Sequence, residues 1–285
     1  GLPIENIVEK EKGFKHKKDI EEYGVDKFNE DARSKVLKYA TEWQTVIDRL
    51  GRWVDFENNY KTMDLDFMES IWYVFKELHE KDLLYEAYRS MHICPRCETT
   101  LAQSEVAQGY QDVKDLSVTV KFELKDEPNT FLLAWTTTPW TLPGNMALAI
   151  GEDIDYVIAK HENNNYIVAI ERIEDVFKDK EFEIEKEIKG KDLAGKNYKP
   201  LFPYYDNADL ENKENAFKIY SADFVNTEDG TGIVHIAPAF GEDDYSLSKQ
   251  ENIPFVQHVH MDGTFKREVI DFAGIFVKHQ DEPAS

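Results

Sequence analysis

The chain has 285 residues, of which 41% are hydrophobic and 13% aromatic, enough for a folded core in one or two domains. Its 56 acidic and 34 basic residues give a formal charge of −22. This composition argues against a disordered chain. It also argues against a protein that holds nucleic acid by overall positive charge, because phosphate binding normally needs a basic surface.

The sequence shows neither a membrane span nor a secretory disulfide framework. It has no run of 18 apolar residues, which a spanning helix needs. Its two cysteines, Cys94 and Cys97, are too few and too close for a set of structural disulfides. There is no signal segment and no initiator Met, so we expect a cytoplasmic protein and a piece of a longer chain.

The first 88 residues have the spacing of helices. Trp43, Ile47 and Leu50 recur at steps of three and four residues, and Gly51 then supplies a stop. A second helix is predicted after Asp64, a good N-cap, and its apolar stripe is expected to pack in a core. That stripe consists of Phe67, Ile71, Val74, Phe75 and Leu78.

Beyond Tyr88 the pattern changes to short strands separated by polar turns. The predicted strands are 118–124, 130–135, 156–160, 166–170, 182–188 and 232–235, and a short helix is predicted at 242–250. The third and fourth strands flank a Glu-Asn-Asn-Asn turn and are predicted to form a hairpin. Many short strands with turns between them predict a closed or nearly closed barrel.

A threonine-rich segment follows directly on the second predicted strand. Its hydroxyls belong to Thr136, Thr137, Thr138 and Thr141. Pro139 and Pro143 cannot continue a strand ladder, so we expect these threonines where the strand ends and the chain turns. Hydroxyls on a stiff turn can bind a polar ligand or a water. The alternative is that they bond their own backbone, and the sequence leaves both possibilities open.

A second segment, 230–245, joins a glycine-rich turn and an apolar strand to an acidic helix start. The strand ends at His235, and Glu242, Asp243 and Asp244 open the helix. Acidic residues in a first turn also stabilise the helix dipole without any other role. A buried histidine can likewise be a satisfied core residue, so the simple interpretations stay open here as well.

Cys94 and Cys97 have the spacing of half of a zinc site. A structural zinc site needs four ligands, and His92, His258 and His260 are candidates by chemistry alone. A redox pair is the alternative, but no thioredoxin-like strand and helix surround the cysteines. The sequence therefore predicts zinc as a candidate metal on an incomplete site.

Together these segments resemble isoleucyl-tRNA synthetases, over nearly all 285 residues. The run Thr-Thr-Thr-Pro-Trp-Thr-Leu-Pro-Gly-Asn at 136–145 looks like the threonine-rich peptide of that family's editing domain, where valyl and leucyl enzymes carry Thr-Thr-Arg-Pro. The segment 230–244 is similar to the second wall of the same pocket. Residues 94–102 look like the zinc-binding entry to the inserted domain, and 1–5 and 60–64 resemble parts of the catalytic half.

The resemblance implies an α+β fold in two parts. Residues 1–88 would be a helical segment belonging to the Rossmann-type catalytic half, and 89–285 a β-barrel editing domain with a zinc half-site at its start. The class I signatures His-x-Gly-His and Lys-Met-Ser-Lys-Ser are absent from this sequence, and no second Cys-x-x-Cys follows the first. We therefore expect a piece of the enzyme that does not aminoacylate and that binds zinc weakly if at all.

The implied function is proofreading hydrolysis of valyl-tRNA(Ile), with valyl-adenylate as a further candidate substrate. Carried over from the family, Asp244 pairs with the α-ammonium, Thr137 and Thr138 bind substrate and place the attacking water, and His235 limits side-chain size. The residues expected to shape the pocket or contact the terminal adenosine are Thr136, Trp140 and Asn145. An aminoacyl ester is already reactive, so a positioned water can suffice and no cofactor is needed.

The implied partners are the acceptor end of tRNA(Ile), valine as a small-molecule moiety and the remainder of the synthetase, with no membrane. Two alternatives stay open. The first is a non-catalytic module that binds the acceptor end, which the acidic charge favours. The second is an unrelated metal hydrolase using His235, Asp244, His258 and His260, although these residues lack a recognised ligand spacing.

Overall fold

The computed structural model describes residues 1–178 and 180–278, apart from the side chains at 37 and 39–41. The chain divides into two compact units. The first is Gly1–Tyr88 with Arg96–Glu98, and the second is Arg89–Pro95 with the described residues from Thr99 onward. The end of the predicted second domain, 279–285, lies outside the described residues. None of the helices described is both long and apolar enough to cross a membrane.

The first unit is helical, as predicted. Its helices are α1 (Leu2–Lys12), α2 (Lys17–Tyr23), α3 (Val25–Arg49) and α4 (Leu65–Glu80). Helix α3 ends shortly before Gly51, whose φ of 71° cannot continue a right-handed helix. Helix α4 begins directly after Asp64, which is its N-cap residue. The buried apolar side chains that the described part of this unit provides are Val8 and Phe28.

The stripe of α4 is exposed, so the prediction that it packs in a core is wrong. Ile71, Val74 and Phe75 are 53%, 52% and 62% exposed, and their neighbour Trp72 is 62% exposed. The helical spacing correctly indicated an apolar face. It could not indicate that the described elements of this unit leave that face uncovered.

The second unit is a mixed α+β structure. Its strands are β1 (Ile93–Cys94), β2 (Thr99–Thr100), β3 (Val118–Glu123), β4 (Thr130–Thr136), β5 (Ala147–Ile150), β6 (Asp155–His161), β7 (Asn164–Ala169), β8 (Glu183–Lys189), β9 (Lys218–Ser221) and β10 (Ile233–Ile236). Its helices are α5 (Gln103–Gln108), α6 (Ile173–Phe177) and α7 (Glu242–Glu251). Each predicted strand and the predicted helix at 242–250 has a counterpart here, shifted by two residues at most at either end.

The strands form open sheets among the described residues. The larger sheet has the order β3-β4-β7-β6-β8, a second has the order β10-β5-β9, and β1 pairs with β2. The predicted hairpin is confirmed, because β6 and β7 are antiparallel and His161 pairs with Asn164. No ladder between described residues joins β3 to β8, so the expected barrel is not confirmed. The chain instead leaves the larger sheet after β4 and enters the second sheet with β5.

The main core lies between these two sheets. It draws buried side chains from both, including Leu132 of β4, Ile167 of β7, Leu148 of β5 and Ile219 of β9. Strand β5 is buried along its whole length, with β10 antiparallel on one side and β9 parallel on the other. The register places His235 opposite Leu148. The end of β10 is therefore held beside the segment that leads from β4 into β5.

Candidate functional site

The threonine-rich segment forms a tight turn between β4 and β5. Strand β4 ends at Thr136, and a 3-10 helix covers Pro139–Gly144. The backbone N–H of Thr138 donates to Thr136 Oγ1 at 3.1 Å, and Thr141 Oγ1 donates to the carbonyl of Thr138 at 2.8 Å. The local bonding that the sequence left open therefore occurs, and it makes the turn rigid.

The same turn contacts the distant strand β10 through its histidine. Thr141 Oγ1 lies 2.7 Å from Nε2 of His235, and Asn145 Nδ2 lies 3.1 Å from Nδ1 of the same ring. All three residues are buried, with exposures of 4%, 7% and 4% for Thr141, His235 and Asn145. The structure thus brings the two sequence segments together in one hydrogen-bonded cluster.

The imidazole of His235 is neutral in this setting. Burial, with a smaller contribution from the neighbouring His258, lowers its pKa to about 4. A charged imidazolium in this position would lose its hydration without gaining an anionic partner. His235 can therefore act as a hydrogen-bonding group, but it carries no charge near neutral pH.

Asp244 lies in the first turn of α7 and is anchored to the loop after β10. Its Oδ1 accepts the backbone N–H of Ala237 at 2.6 Å. Burial raises the pKa of Asp244 to about 6, although the hydrogen bond from Ala237 acts in the opposite direction. A carboxylate with so little hydration would gain from a cationic partner.

The other predicted site residues differ in their surroundings. Thr136 is buried and its Oγ1 lies 3.3 Å from Oγ1 of Thr138, which is half-buried, whereas Thr137 is exposed. Trp140 is half-buried and packs edge-to-face on Phe240 at 5.3 Å. No hydrogen bond between described residues joins Thr137 or Asp244 to the cluster around His235, so their roles stay predictions.

A cavity of about 1160 Å³ opens beside this cluster in the second unit. Trp140 and residues 239–242 supply part of its wall. The other predicted site residues do not line it, namely Thr136, Thr137, Thr138, Asn145, His235 and Asp244. Its volume is somewhat above the range of about 300–1,000 Å³ for small-molecule pockets and far above what one amino-acid side chain fills. A small hollow that fits valine therefore stays a prediction.

Two residues that hold the turn were not assigned to it from the sequence, and one of them, His258, was named there only as a candidate metal ligand. Tyr198 is buried, and its hydroxyl donates to Asn145 Oδ1 at 2.6 Å. His258 is buried behind the turn, with Nε2 2.9 Å from the carbonyl of Trp140. Tyr198 lies in no recognisable motif, so no sequence signal pointed to it. Spacing could not show that His258 supports the turn.

The described residues do not fit a complete zinc centre. Among them, no group of three or more His, Cys, Asp or Glu side chains is arranged to hold a metal ion. Cys94 ends β1, and Cys97 lies in the turn that leads to β2. The half-site stays a prediction, and no step of the chemistry below passes through zinc.

Comparison with known proteins places the chain in a family. The family model for class I tRNA synthetases (I, L, M and V) matches residues 1–270. An isoleucine–tRNA ligase of Treponema denticola is 49% identical over 99% of this chain and 28% of its own length. One of Bdellovibrio bacteriovorus is 46% identical over 99% of this chain and 27% of its own length. The chain thus spans about a quarter of the length of these relatives.

Solved structures give a weaker likeness. A crystal structure of GlLeuRS-CP1 has a TM-score of 0.40 and 21% identity, covering 47% of this chain and 59% of that one. The P. knowlesi cytosolic leucyl-tRNA synthetase editing domain has a TM-score of 0.37 and 13% identity, covering 48% of this chain and 64% of that one.

Proposed function

Because the chain belongs to the class I tRNA synthetases (I, L, M and V), we propose that its second unit is a proofreading site. The site hydrolyses valine that has been esterified wrongly to tRNA(Ile), with valyl-adenylate as a further candidate substrate. The partner is the acceptor end of tRNA(Ile), presented with the remainder of the synthetase. Relatives that bear the name isoleucine–tRNA ligase support isoleucine as the amino acid of the parent enzyme.

Such an enzyme needs a second site because size alone cannot exclude valine from a pocket that accepts isoleucine. One missing methylene changes binding by about 1–3 kcal/mol, a range for which isoleucyl-tRNA synthetases are themselves the standard example. A smaller site admits valine, excludes isoleucine by overlap and hydrolyses whatever enters.

The observation that carries the proposal is the contact between the two sequence segments. Thr141 Oγ1 of the threonine-rich turn and His235 Nε2 of the second segment lie 2.7 Å apart, although 94 positions separate them in the chain. A rigid polar turn beside a neutral, buried imidazole provides hydroxyls for binding and a fixed wall for selection by size.

Each predicted residue has a definite task in this site. Asp244 binds the α-ammonium of the valyl group, which restores a charged partner to its poorly hydrated carboxylate. Thr137 and Thr138 bind the substrate and orient a water, and His235 limits the side chain that fits. The water oxygen attacks the ester carbon, the bond to the ribose oxygen breaks, and that oxygen takes the proton, with the neighbouring ribose hydroxyl as relay.

The test is deacylation of valyl-tRNA(Ile) by the chain and by Asp244→Ala. Loss of a hydrogen-bonded charge pair worth about 1.5–3 kcal/mol lowers kcat/KM by roughly 10- to 100-fold. Asp243→Ala is the matched control, because Asp243 occupies the same helical turn but is exposed. Its rate is expected to stay close to that of the parent chain.

Three outcomes contradict parts of the proposal. Equal rates for the parent chain and Asp244→Ala remove Asp244 from the mechanism. Binding of tRNA without ester cleavage makes the chain a non-catalytic acceptor-end module. Activity that a chelator abolishes points instead to a metal hydrolase.

A further inference from the structure

Both polar atoms of the Asn145 amide are hydrogen-bonded inside the protein. Its Nδ2 donates to the carbonyl of Ala147 at 2.9 Å and lies 3.1 Å from Nδ1 of His235, while its Oδ1 accepts the hydroxyl of Tyr198 at 2.6 Å. A carbonyl oxygen only accepts, so the atom that faces Ala147 must be the nitrogen. This contact fixes the orientation of the amide, and in that orientation the Tyr198 hydroxyl donates to Oδ1.

That orientation determines where the imidazole of His235 carries its proton. Both hydrogens of Asn145 Nδ2 are donated, one of them to Nδ1, so Nδ1 must be an unprotonated acceptor. The hydrogen of the neutral ring is then on Nε2, which donates to Thr141 Oγ1. Thr141 gives its own hydrogen to the carbonyl of Thr138. Every donor in this chain of bonds has one acceptor.

We propose that Asn145, oriented by the Ala147 carbonyl and anchored by Tyr198, is a positioning residue that holds His235 as the neutral Nε2–H tautomer. The imidazole then donates to the threonine-rich turn and forms a wall, and it supplies no base to the hydrolysis. This inference rests on the proposed proofreading function and deepens it. It excludes His235 as the acceptor of the proton from the attacking water, because the lone pair on Nδ1 is already bound by Asn145.

The tautomer can be measured directly by nitrogen NMR on the histidine rings of the full chain. The chain has 8 histidines, and the signal missing from His235→Gln identifies the ring of interest. We expect a protonated Nε2 and a bare Nδ1 near neutral pH. A protonated Nδ1, or the averaged signal of an imidazolium, would overturn the proposal.

Substitutions of Asn145 and Tyr198 test whether these residues determine the tautomer of His235. In Asn145→Asp the new carboxylate can only accept, so the ring hydrogen is expected to move to Nδ1. In Tyr198→Phe the Oδ1 of Asn145 loses its donor, and the Nδ1 signal of His235 is expected to shift or broaden. Tyr156→Phe is the matched control, because its buried hydroxyl bonds the Gly232 carbonyl and the Gly151 N–H instead.

The proposal fails if Asn145→Asp keeps the parent tautomer, or if Tyr198→Phe and Tyr156→Phe affect the ring equally. If Asn145→Asp does not fold, the spectrum of the parent chain and the comparison of Tyr198→Phe with Tyr156→Phe still test the proposal.

Activity provides a separate measurement. Loss of a general base costs about 10²- to 10⁴-fold in rate, whereas Gln at position 235 can still donate to Thr141. We therefore expect deacylation by His235→Gln to fall by less than the lower end of that range. A chain with the stated tautomer but no ester cleavage would disprove the proofreading function and leave the proton assignment standing.

Discussion

The two units differ in how far their apolar side chains are buried. In the second, strands such as β5 are buried along their whole length and support a fully bonded polar cluster. In the first, the face of α4 exposes Ile71, Trp72 and Phe75 by more than half. An apolar face of this kind is typical of a surface that packs against another part of a protein. Among the described residues, the larger buried interior, in which a polar site can be held, therefore lies in the second unit.

The largest expected effect on the free energy of unfolding comes from replacing a buried apolar residue, and an exposed apolar residue serves as the comparison. Leu132→Ala in β4 removes a side chain with 0% exposure and should lower the free energy of unfolding by about 2–5 kcal/mol. Phe75→Ala on α4 should change it by no more than about 0.5 kcal/mol. Urea unfolding, with hydrogen exchange to locate the loss, measures both. Equal losses would mean that the α4 face is packed in solution.

A second prediction concerns the close approach of the threonine-rich turn to His258. A Cβ added at Gly144 would lie 2.4 Å from Nδ1 of that ring, so the turn or the ring must move. Gly144→Ala should cost about 1–3 kcal/mol and slow deacylation. Gly109→Ala is the control, because its nearest atom would be at 3.5 Å, and it should be neutral or slightly stabilising. Equal effects on unfolding would contradict the tight contact.

A third prediction separates the two titrating groups of the site by the sign of their effects. The pKa of His235 is lowered from 6.5 to about 4, so the unfolded chain gains a proton first and stability is lost as pH falls through this window. The pKa of Asp244 is raised from 3.8 to about 6, so the folded chain gains a proton first and stability rises as pH falls there.

Removal of Asp244 and removal of His235 should therefore change the slope of unfolding free energy against pH in opposite directions. Asp244→Asn should lose stability on acidification more steeply than the parent chain, and His235→Gln less steeply. Urea midpoints followed across this pH window measure both slopes. Slopes that change in the same direction would show that at least one of the two shifts is misassigned.

The smallest expected effect concerns exposed ion pairs, which occur in both units. Lys189 and Asp155 lie 2.7 Å apart in the second unit with side chains 48% and 54% exposed, and Lys76 and Glu80 lie 3.5 Å apart on α4. Lys189→Ala and Lys76→Ala should each cost about 0–1 kcal/mol and less in high salt. A large loss in one unit only would show that charge, and not apolar burial, separates the two.

The sequence predicted the positions of individual strands better than the way in which they pair into sheets. Alternation and polar turns located β3, β4, and the hairpin of β6 and β7, because these patterns follow directly from the two faces of a strand. Strand β5 was not predicted, since a short apolar run that is buried on both faces shows no alternation. The barrel was inferred from strand number alone, and strand number does not say which edges pair.

For the site, motifs indicated the segments but not the bonds between them. The threonine-rich turn and His235 were predicted as neighbours only through the family resemblance. The register of β5 and β10, which determines that contact, depends on pairing between segments far apart in the chain. Tyr198 and His258 act through one hydrogen bond each, and such single contacts leave no trace in local sequence.

The central place of β5 in its sheet also bears on which parts of the chain can change length. The backbone ladder to β10 aligns Leu148 with His235 whatever the length of the loops between them. The tip of the β6–β7 hairpin, at Glu162 and Asn163, lies outside that ladder. Residues added at this tip should leave the hydrogen bonds around His235 intact, so it is a suitable place to graft a tag or a reporter domain. An extra residue within β5 would instead turn alternate side chains to the opposite face of the sheet.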